Sequence, residues 1–181
     1  MDALTLLLER RSCAALTEPA PEGAALDAIL KAAFRVPDFQ GLRPYRFILA
    51  AGEGLDRLGA LMQQAARDAG KEPEIIERAA RMPKRAPLVV VAALHRPHSI
   101  VSRFEQQLTA GCAVMAMQMA AVAQGFGGIW RSGWPMFHRG LHDALGLEED
   151  AQIVGFLYLG TPKSPPAARL EVEATDFVHW L

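Results

Sequence analysis

Two short segments combine guanidinium groups with small polar side chains. Arg10, Arg11 and Ser12 follow an apolar stretch near the start of the chain, and Arg131 and Ser132 follow a glycine-rich stretch in its second half. Guanidinium groups bind phosphate oxygens through paired hydrogen bonds, so the first segment is suited to a phosphate dianion. Arginine is also common at helix C-termini, where it complements the helix dipole, and this alternative stays open.

The glycine-rich stretch invites comparison with the turn of dinucleotide-binding proteins. Gly125, Gly127 and Gly128 begin that pattern, but Trp130 stands where its third glycine belongs. The predicted order is also helix then strand, the reverse of what aims a helix N-terminus at a pyrophosphate. We therefore interpret the glycines as a helix cap and as positions of close backbone approach, and not as a Rossmann site.

Two histidine pairs have spacings that a metal site could use. His138 and His142 stand four residues apart on a predicted helix, and His95 and His98 flank Pro97 in a predicted loop. No third ligand is evident from the spacing, so we interpret both pairs as solvated and expect no metal. The chain also shows no nucleophile motif and no acid–base pair. A cofactor would therefore supply the chemistry of any enzyme built on it.

Composition predicts one folded, soluble domain over residues 1–181. The chain is 51% hydrophobic, and its 19 Lys and Arg against 20 Asp and Glu give a formal charge of −1. Without an excess of basic residues, nucleic acid is not an expected partner. Only two cysteines occur, Cys13 and Cys112, which argues against a disulfide framework and favours a reducing cytoplasm. The N-terminal segment has its charges after the apolar run, unlike a signal peptide.

The longest predicted element is an apolar helix from Phe104 to about Gln124. Between Ala110 and Ala123 nearly every side chain is apolar, which predicts burial on all sides, including that of Cys112. A helix of about 20 residues extends about 30 Å, so it would be either a central core helix or a seam between subunits. Its uninterrupted apolar run is too short to cross a bilayer, so we expect no membrane association.

Hydrophobic periodicity places the other elements around this helix. Further helices are predicted at residues 2–10, 23–34, 55–69, 73–82 and 138–145, and strands at 45–51, 87–94, 128–131 and 153–159. The second strand is a continuous apolar run, which predicts a central strand covered on both faces. Residues 37–44 form a loop by composition. Residues 163–181 lack the apolar surface to fold alone, so this tail either packs on the domain or reaches a partner subunit.

Three segments, taken together and in order, resemble the FMN-dependent nitroreductase family. They are Glu9 to Ser12, Ala33 to Pro37 with Arg43 to Tyr45, and Ala120 to Gly133. Each is weak singly, but the ordered set resembles the short bacterial branch of NAD(P)H nitroreductases over essentially the whole chain. The resemblance implies an α+β, nitroreductase-like fold with a mostly antiparallel central sheet surrounded by helices. It also implies a homodimer with the long central helix at its interface.

In this family FMN lies at the subunit interface. The residues that the resemblance assigns to FMN are Arg10, Arg11, Ser12, Arg35, Phe39, Arg131, Ser132 and Gly133. The first three would hold the phosphate and ribityl chain, and Arg35 and Phe39 would come over the flavin from the other subunit. The last three would contact the flavin from the strand end, with backbone N–H groups near N5 and O4.

The resemblance also assigns a nicotinamide-nucleotide segment at the end of the long helix. Its residues are Ala121, Val122, Ala123, Gln124, Gly125 and Phe126. Lys163 and Arg169 are candidates for a further cation on the FMN phosphate. The chain departs from the family at Phe39, where relatives often carry a polar residue, and at Arg43, which replaces the glutamine of a Gln-Pro-Trp motif.

The implied activity is that of a flavin oxidoreductase. Hydride would pass from NAD(P)H to flavin N5, and the electrons would then pass to an electron-poor acceptor such as a nitroaromatic or a quinone. The alternative is a flavin-binding carrier or sensor of the same fold without robust turnover. Phe39 favours this alternative, because it can stack on a ring but cannot hydrogen-bond a substrate.

Overall fold

The computed structural model describes residues 2–164 and 172–181. Its α-helices are α1 (Ala3–Glu9), α2 (Gly23–Ala32), α3 (Glu53–Asp68), α4 (Pro73–Arg81), α5 (Arg103–Ala123) and α6 (Arg139–Ala144). Its strands are β1 (Leu16–Thr17), β2 (Tyr45–Ala51), β3 (Leu88–Leu94), β4 (Gly127–Arg131) and β5 (Gln152–Pro162). Every helix and strand predicted over residues 2–159 is present, with ends within about three residues of the prediction.

One antiparallel sheet joins all five strands of the described chain. β3 lies between β2 and β5, with Tyr45 opposite Leu94 and Leu88 opposite Leu159. β5 also pairs with β4, where Gly128 lies opposite Leu159, and with the short β1. The prediction of a mostly antiparallel sheet in an α+β fold is confirmed. β1 was missed, because two residues are too few to show an alternating pattern.

The sheet separates two hydrophobic layers. All seven residues of β3 are buried, and their side chains alternate between the faces. Val89 and Val91 pack with Leu58 and Met62 of α3, whereas Val90 packs on the α2 and α5 side. The prediction that this strand is covered on both faces is therefore confirmed.

Short 3-10 turns occur in several of the connections between the helices and strands. α2 continues as a 3-10 turn at Ala33–Arg35, and the predicted loop of residues 37–44 contains another at Phe39–Gly41. A third, at Trp134–Phe137, precedes α6. Composition alone did not reveal these turns, because they are single turns with no repeated apolar spacing.

Burial of the long helix on all sides is wrong for the single chain. Only one side of α5 is covered, by α2 and by β3, β4 and β5. On the other side Phe104 is 66% exposed and Leu108 is 53% exposed, and Cys112 is exposed as well. The reason is physical: apolar character predicts that a surface avoids water, but not whether its own chain or another one covers it.

The C-terminal segment is described only in part. Residues 172–181 contain a 3-10 turn at Ala174–Asp176, and Phe177 and Trp180 are exposed. Arg169, one of the candidate cations for the FMN phosphate, lies outside the described residues. Within residues 2–164 and 172–181, none of the helices combines the length and hydropathy that a bilayer crossing requires.

Candidate functional site

The end of α1 positions the two adjacent arginines. Asp2 caps the start of this helix by accepting hydrogen bonds from the backbone N–H groups of Leu4 and Thr5, both at 3.1 Å. At the other end the backbone N–H of Arg10 donates to Leu6, and the chain then turns into an extended conformation. The arginines thus stand where a helix-dipole role predicts them. Both arginines also line a cavity.

A cavity of about 260 Å³ brings the arginines to the end of α5. We call it the Arg10 cavity; it is lined by Glu9, Arg10, Arg11, Cys13, Val122, Gly125, Phe126, Gly127 and Pro162. Among the described residues no carboxylate is within ion-pair distance of Arg10, whereas Glu9 lies 3.9 Å from Arg11. Ser12 is exposed and does not line the cavity. The predicted phosphate and nicotinamide segments therefore meet in one place.

The glycines beside this cavity end the helix and bring strands together. Gly125 has φ +87°, and the N–H groups of Gly125 and Phe126 donate to the carbonyls of Val122 and Ala121. These two bonds form a Schellman cap. A Cβ on Gly127 would lie 2.8 Å from the side chain of Leu16, so glycine at this position lets β4 pack closely against β1. The interpretation of these glycines as a cap and as sites of close approach is confirmed.

Arg131 carries a buried donor that has no acceptor in the part of the chain that the structure describes. Its Nε is buried and has no hydrogen-bond partner among the described residues. Its guanidinium carbon lies 5.7 Å from the ring centroid of Tyr158. Burial raises the pKa of the Tyr158 hydroxyl, while Arg85 and Arg131 oppose that rise. Because the Nε is shielded from solvent, the terminal Nη groups, which are not buried, are the donors that Arg131 offers to the carbonyl oxygen of a bound ligand.

Ser132 and Gly133 follow Arg131 and are exposed. Gly133 has φ +140°, a conformation that favours glycine, and it turns the chain from β4 into the 3-10 turn at Trp134–Phe137. This turn leaves the end of β4 open to a ligand. The predicted strand-end segment is therefore accessible.

Arg35 and Phe39 lie elsewhere in the single chain. Arg35 lines a separate cleft of about 380 Å³ with Lys31, Phe34 and Arg43, and neither Arg35 nor Phe39 lines the Arg10 cavity. Phe39 is 53% exposed. One chain thus presents two incomplete sets of predicted FMN residues. Their assignment to different subunits stays a prediction.

The solvated interpretation of the histidines is wrong for two of them. His142 is buried; its Nδ1 donates to the carbonyl of His138 at 2.8 Å, and its Nε2 accepts the N–H of Ile153 at 3.2 Å. His95 is also buried, and burial lowers the pKa of both imidazoles. Sequence spacing could not show this, because the covering residue, Ile153, comes from β5. In the described chain no three His, Cys, Asp or Glu side chains are placed to hold a metal.

Several residues lining the Arg10 cavity were missed from the sequence. Cys13 and Pro162 reach it because the end of β5 runs beside β1, where the N–H of Lys163 donates to Ala15. The side chain of Lys163 is exposed and does not line the cavity. Only the β1–β5 pairing, which has no local sequence signal, would have revealed these neighbours.

The family of the chain follows from its match to a family model. The model described as "Nitroreductase family" matches residues 7–161. The chain belongs to the nitroreductase family. Nitroreductases are oxidoreductases, so the prediction of an enzyme of this class is confirmed.

Curated relatives of this nitroreductase-family chain match over its full length. The protein named "Putative NAD(P)H nitroreductase YdjA" from Escherichia coli (strain K12) is 49% identical over 183 residues, which is 99% of this chain and 100% of the relative. "Putative NAD(P)H nitroreductase" from Haemophilus influenzae is 38% identical over 185 residues, and the match covers 100% of both chains.

Solved nitroreductase structures share the fold. The nitroreductase-like family protein from Bacillus cereus has a TM-score of 0.84 at 22% identity, over 100% of this chain and 96% of that one. A nitroreductase with bound FMN from Bacteroides fragilis has a TM-score of 0.75 at 18% identity, over 98% and 97% of the two chains. The predicted nitroreductase-like fold is therefore confirmed.

Proposed function

We propose that this nitroreductase-family chain is an FMN-dependent oxidoreductase that uses NAD(P)H to reduce an electron-poor acceptor such as a nitroaromatic or a quinone. The observation that carries the proposal is the Arg10 cavity, which brings Arg10 and Arg11 to the capped end of α5. The names of the relatives and the FMN in the Bacteroides fragilis structure support the choice of cofactor and reductant. When bound, FMN would accept hydride from NAD(P)H and return the electrons to the acceptor.

The residues present fit FMN at both of its ends. Arg10 and Arg11 line the Arg10 cavity, where their guanidinium groups would bind the phosphate, and Ser12 would lie at its exposed edge. The carbonyl ends of α5 face the same region and disfavour an anion, so the two arginines also offset that negative dipole. Arg131 would donate from its terminal Nη groups to a flavin oxygen. Ser132 and Gly133 would offer backbone N–H groups beside it.

The nicotinamide nucleotide is assigned to the capped end of α5. Val122, Gly125 and Phe126 line the Arg10 cavity, while Ala123 and Gln124 are exposed beside it. Ala121 is buried and holds the cap through its carbonyl oxygen. This end of α5 would therefore guide the nucleotide through its surface shape, with Ala121 acting only as support.

We also propose that the chain acts as a homodimer in the cytoplasm. The open face of α5 and the ends of β4 and β5 border an apolar groove of about 490 Å³, which includes Leu108, Cys112, Trp130 and Phe137. A second copy covering this groove would bury it and bring Arg35 and Phe39 to the partner's flavin. Residues 163–181 would pack on their own domain or reach that copy. Cys13 and Cys112 are both free thiols, which fits a reducing compartment.

The absorption spectrum of the purified protein tests the cofactor, and anaerobic mixing with NADPH and with NADH tests the activity. We expect the peaks of oxidised flavin and their loss on mixing. A protein that binds no flavin would contradict the whole proposal. A bound flavin that stays oxidised with both nucleotides would favour the carrier or sensor, which the apolar Phe39 also favours.

Sedimentation velocity tests the dimer separately. Leu108→Glu places a charge in the groove, so we expect this variant to sediment as a monomer and to lose FMN. Leu49→Glu is the matched control, because Leu49 is also partly exposed but lies on β2, away from the groove. A stable folded monomer for the wild-type protein would refute the shared site.

A further inference from the structure

A cleft at the end of α2 combines cations with an aromatic wall. It is lined by Lys31, Phe34, Arg35 and Arg43 and has a volume of about 380 Å³, and we call it the Arg43 cleft. Sites for small ligands have volumes of about 300–1,000 Å³. The Arg43 cleft is therefore large enough for a substituted aromatic ring.

The aromatic wall is a stack of three rings. Phe34 lies 6.1 Å from Tyr45 with an angle of 26° between the planes, and Tyr45 lies 5.3 Å from Phe47 with an angle of 23°. Phe34 is 51% exposed, so much of its ring is free to contact a ligand. A planar aromatic group can extend this stack.

The charges in the Arg43 cleft favour an anion. Lys31 is paired with Asp27 at 2.6 Å, but among the described residues no carboxylate is within ion-pair distance of Arg35 or Arg43. Asp38 is the other acidic neighbour, and its Oδ2 accepts the backbone N–H of Arg43 at 2.7 Å. Three cations thus face two carboxylates, and Arg43 keeps its guanidinium donors for a ligand.

The backbone holds Arg43 in an unusual conformation. Its φ is +50°, in the left-handed region that side chains other than glycine rarely adopt. The bond from its N–H to Asp38 maintains this conformation, and Pro44 is tied to the sheet by the N–H of His95 at 3.0 Å. Backbone strain of this kind concentrates at ligand sites, where the surrounding structure maintains it.

We propose that the Arg43 cleft binds an anionic aromatic group of a substrate, with the ring on Phe34 and the anion on Arg43, while Arg35 serves the flavin as proposed above. The inference deepens the proposed function, on which it rests, by naming the substrate class. Two substrates can supply such a group. One is an acceptor with a carboxylate on its aromatic ring, and the other is the phosphorylated adenosine of NADPH.

Binding measurements without turnover test the cleft independently of catalysis. Ligand-observed NMR on the protein as purified compares 4-nitrobenzoate with 4-nitrobenzamide, and NADP⁺ with NAD⁺. Each pair differs by one anionic group. The wild-type protein is expected to prefer the anionic member of one pair by about ten-fold or more, as a charge-assisted hydrogen bond would give.

Variants then locate the preference. Arg43→Gln removes the charge and should abolish the preference, whereas Arg46→Gln is the matched control, because Arg46 points to the opposite face of β2 from Tyr45 and Phe47. Phe34→Leu should weaken the binding of both ligands of a pair and leave the ratio of their affinities unchanged. If Arg43→Gln loses the preference for 4-nitrobenzoate over 4-nitrobenzamide, the cleft binds the electron acceptor. If it loses the preference for NADP⁺ over NAD⁺, the cleft binds the electron donor. Equal binding within both pairs, or a preference that survives Arg43→Gln, would overturn the inference.

Discussion

Gln118 of α5 donates a 2.8 Å hydrogen bond from Nε2 to the carbonyl oxygen of Gly128 in β4. Both residues are buried, and the same carbonyl accepts the backbone N–H of Cys13 at 2.9 Å. This contact joins the long helix to the strand that ends at Arg131. It also explains the polar residue within the apolar run of α5, since the carbonyl of Gly128 is its buried partner.

Replacing Gln118 with Met should destabilise the fold by about 1 kcal/mol. Methionine keeps most of the volume but removes the donor, and Gly128 keeps its bond from Cys13, so the loss is that of one hydrogen bond. Urea unfolding measures it. Gln63→Met is the control, because Gln63 is partly exposed on α3 and its side chain has no hydrogen bond among the described residues, so its effect should stay within about 0.5 kcal/mol. Equal losses in the two variants would contradict the role of Gln118.

Gly155→Ala should displace the indole of Trp130 and destabilise the protein by about 1–3 kcal/mol. A Cβ at Gly155 would overlap Nε1 of Trp130, which donates to the carbonyl of Val154 at 3.2 Å. On the other side a Cβ at Gly111 would lie 3.2 Å from the same indole. Thermal unfolding and tryptophan fluorescence report the change.

The control for this overpacking is Gly54→Ala. A Cβ at Gly54 would lie 3.7 Å from Ala50, an ordinary contact, and Gly54 is in the first turn of α3. The variant should therefore be neutral or stabilised by up to about 1 kcal/mol. If Gly155→Ala were equally well tolerated, Trp130 would not be held as the structure shows.

His142 should make stability depend on pH below neutrality. Burial lowers the pKa of its imidazole, Arg139 and His138 add to this effect, and the carbonyl of His138 and the carboxylate of Asp143 oppose it. The unfolded chain therefore binds the proton first. The contribution of neutral His142 to the free energy of unfolding is fully present above about pH 6.5. Below that pH the free energy of unfolding falls, by at most about 1.4 kcal/mol per pH unit for one histidine.

His142→Gln tests this pH dependence. The variant should show a shallower loss of stability between about pH 6.5 and 5, measured by urea unfolding at each pH. Part of the slope should remain, because burial also lowers the pKa of His95. His179→Gln, which removes an exposed histidine, is the matched control. A slope equal to that of the wild-type protein in His142→Gln would contradict the assignment.

Arg10→Ala should weaken FMN binding by about ten- to 150-fold, because a charge-assisted hydrogen bond contributes roughly 1.5–3 kcal/mol. Flavin fluorescence on titration of the apoprotein measures the affinity. Arg57→Ala is the control, since Arg57 is an exposed arginine of α3 that does not line the Arg10 cavity. Retention of FMN at wild-type affinity in Arg10→Ala would refute the phosphate assignment.

Local patterns in the sequence predicted most of the fold. The apolar run before Leu94 identified a covered strand, and the glycines after Gln124 identified the end of a helix. Both features depend on residues within about five positions of each other, so the chain records them directly. The ordered motifs also identified the family, although no single motif did.

Only the tertiary structure decided which of these segments meet. It placed Arg10 beside Val122 and Phe126, because the β1–β5 pairing brings the end of α1 to the end of α5. Within the described part of the chain it left the Nε of Arg131 buried without an acceptor, and it covered His142 with the backbone of β5. The sequence determined which residues avoid water and which carry charge. Their burial, partners and shared cavities depend on contacts between distant segments, which no local pattern records.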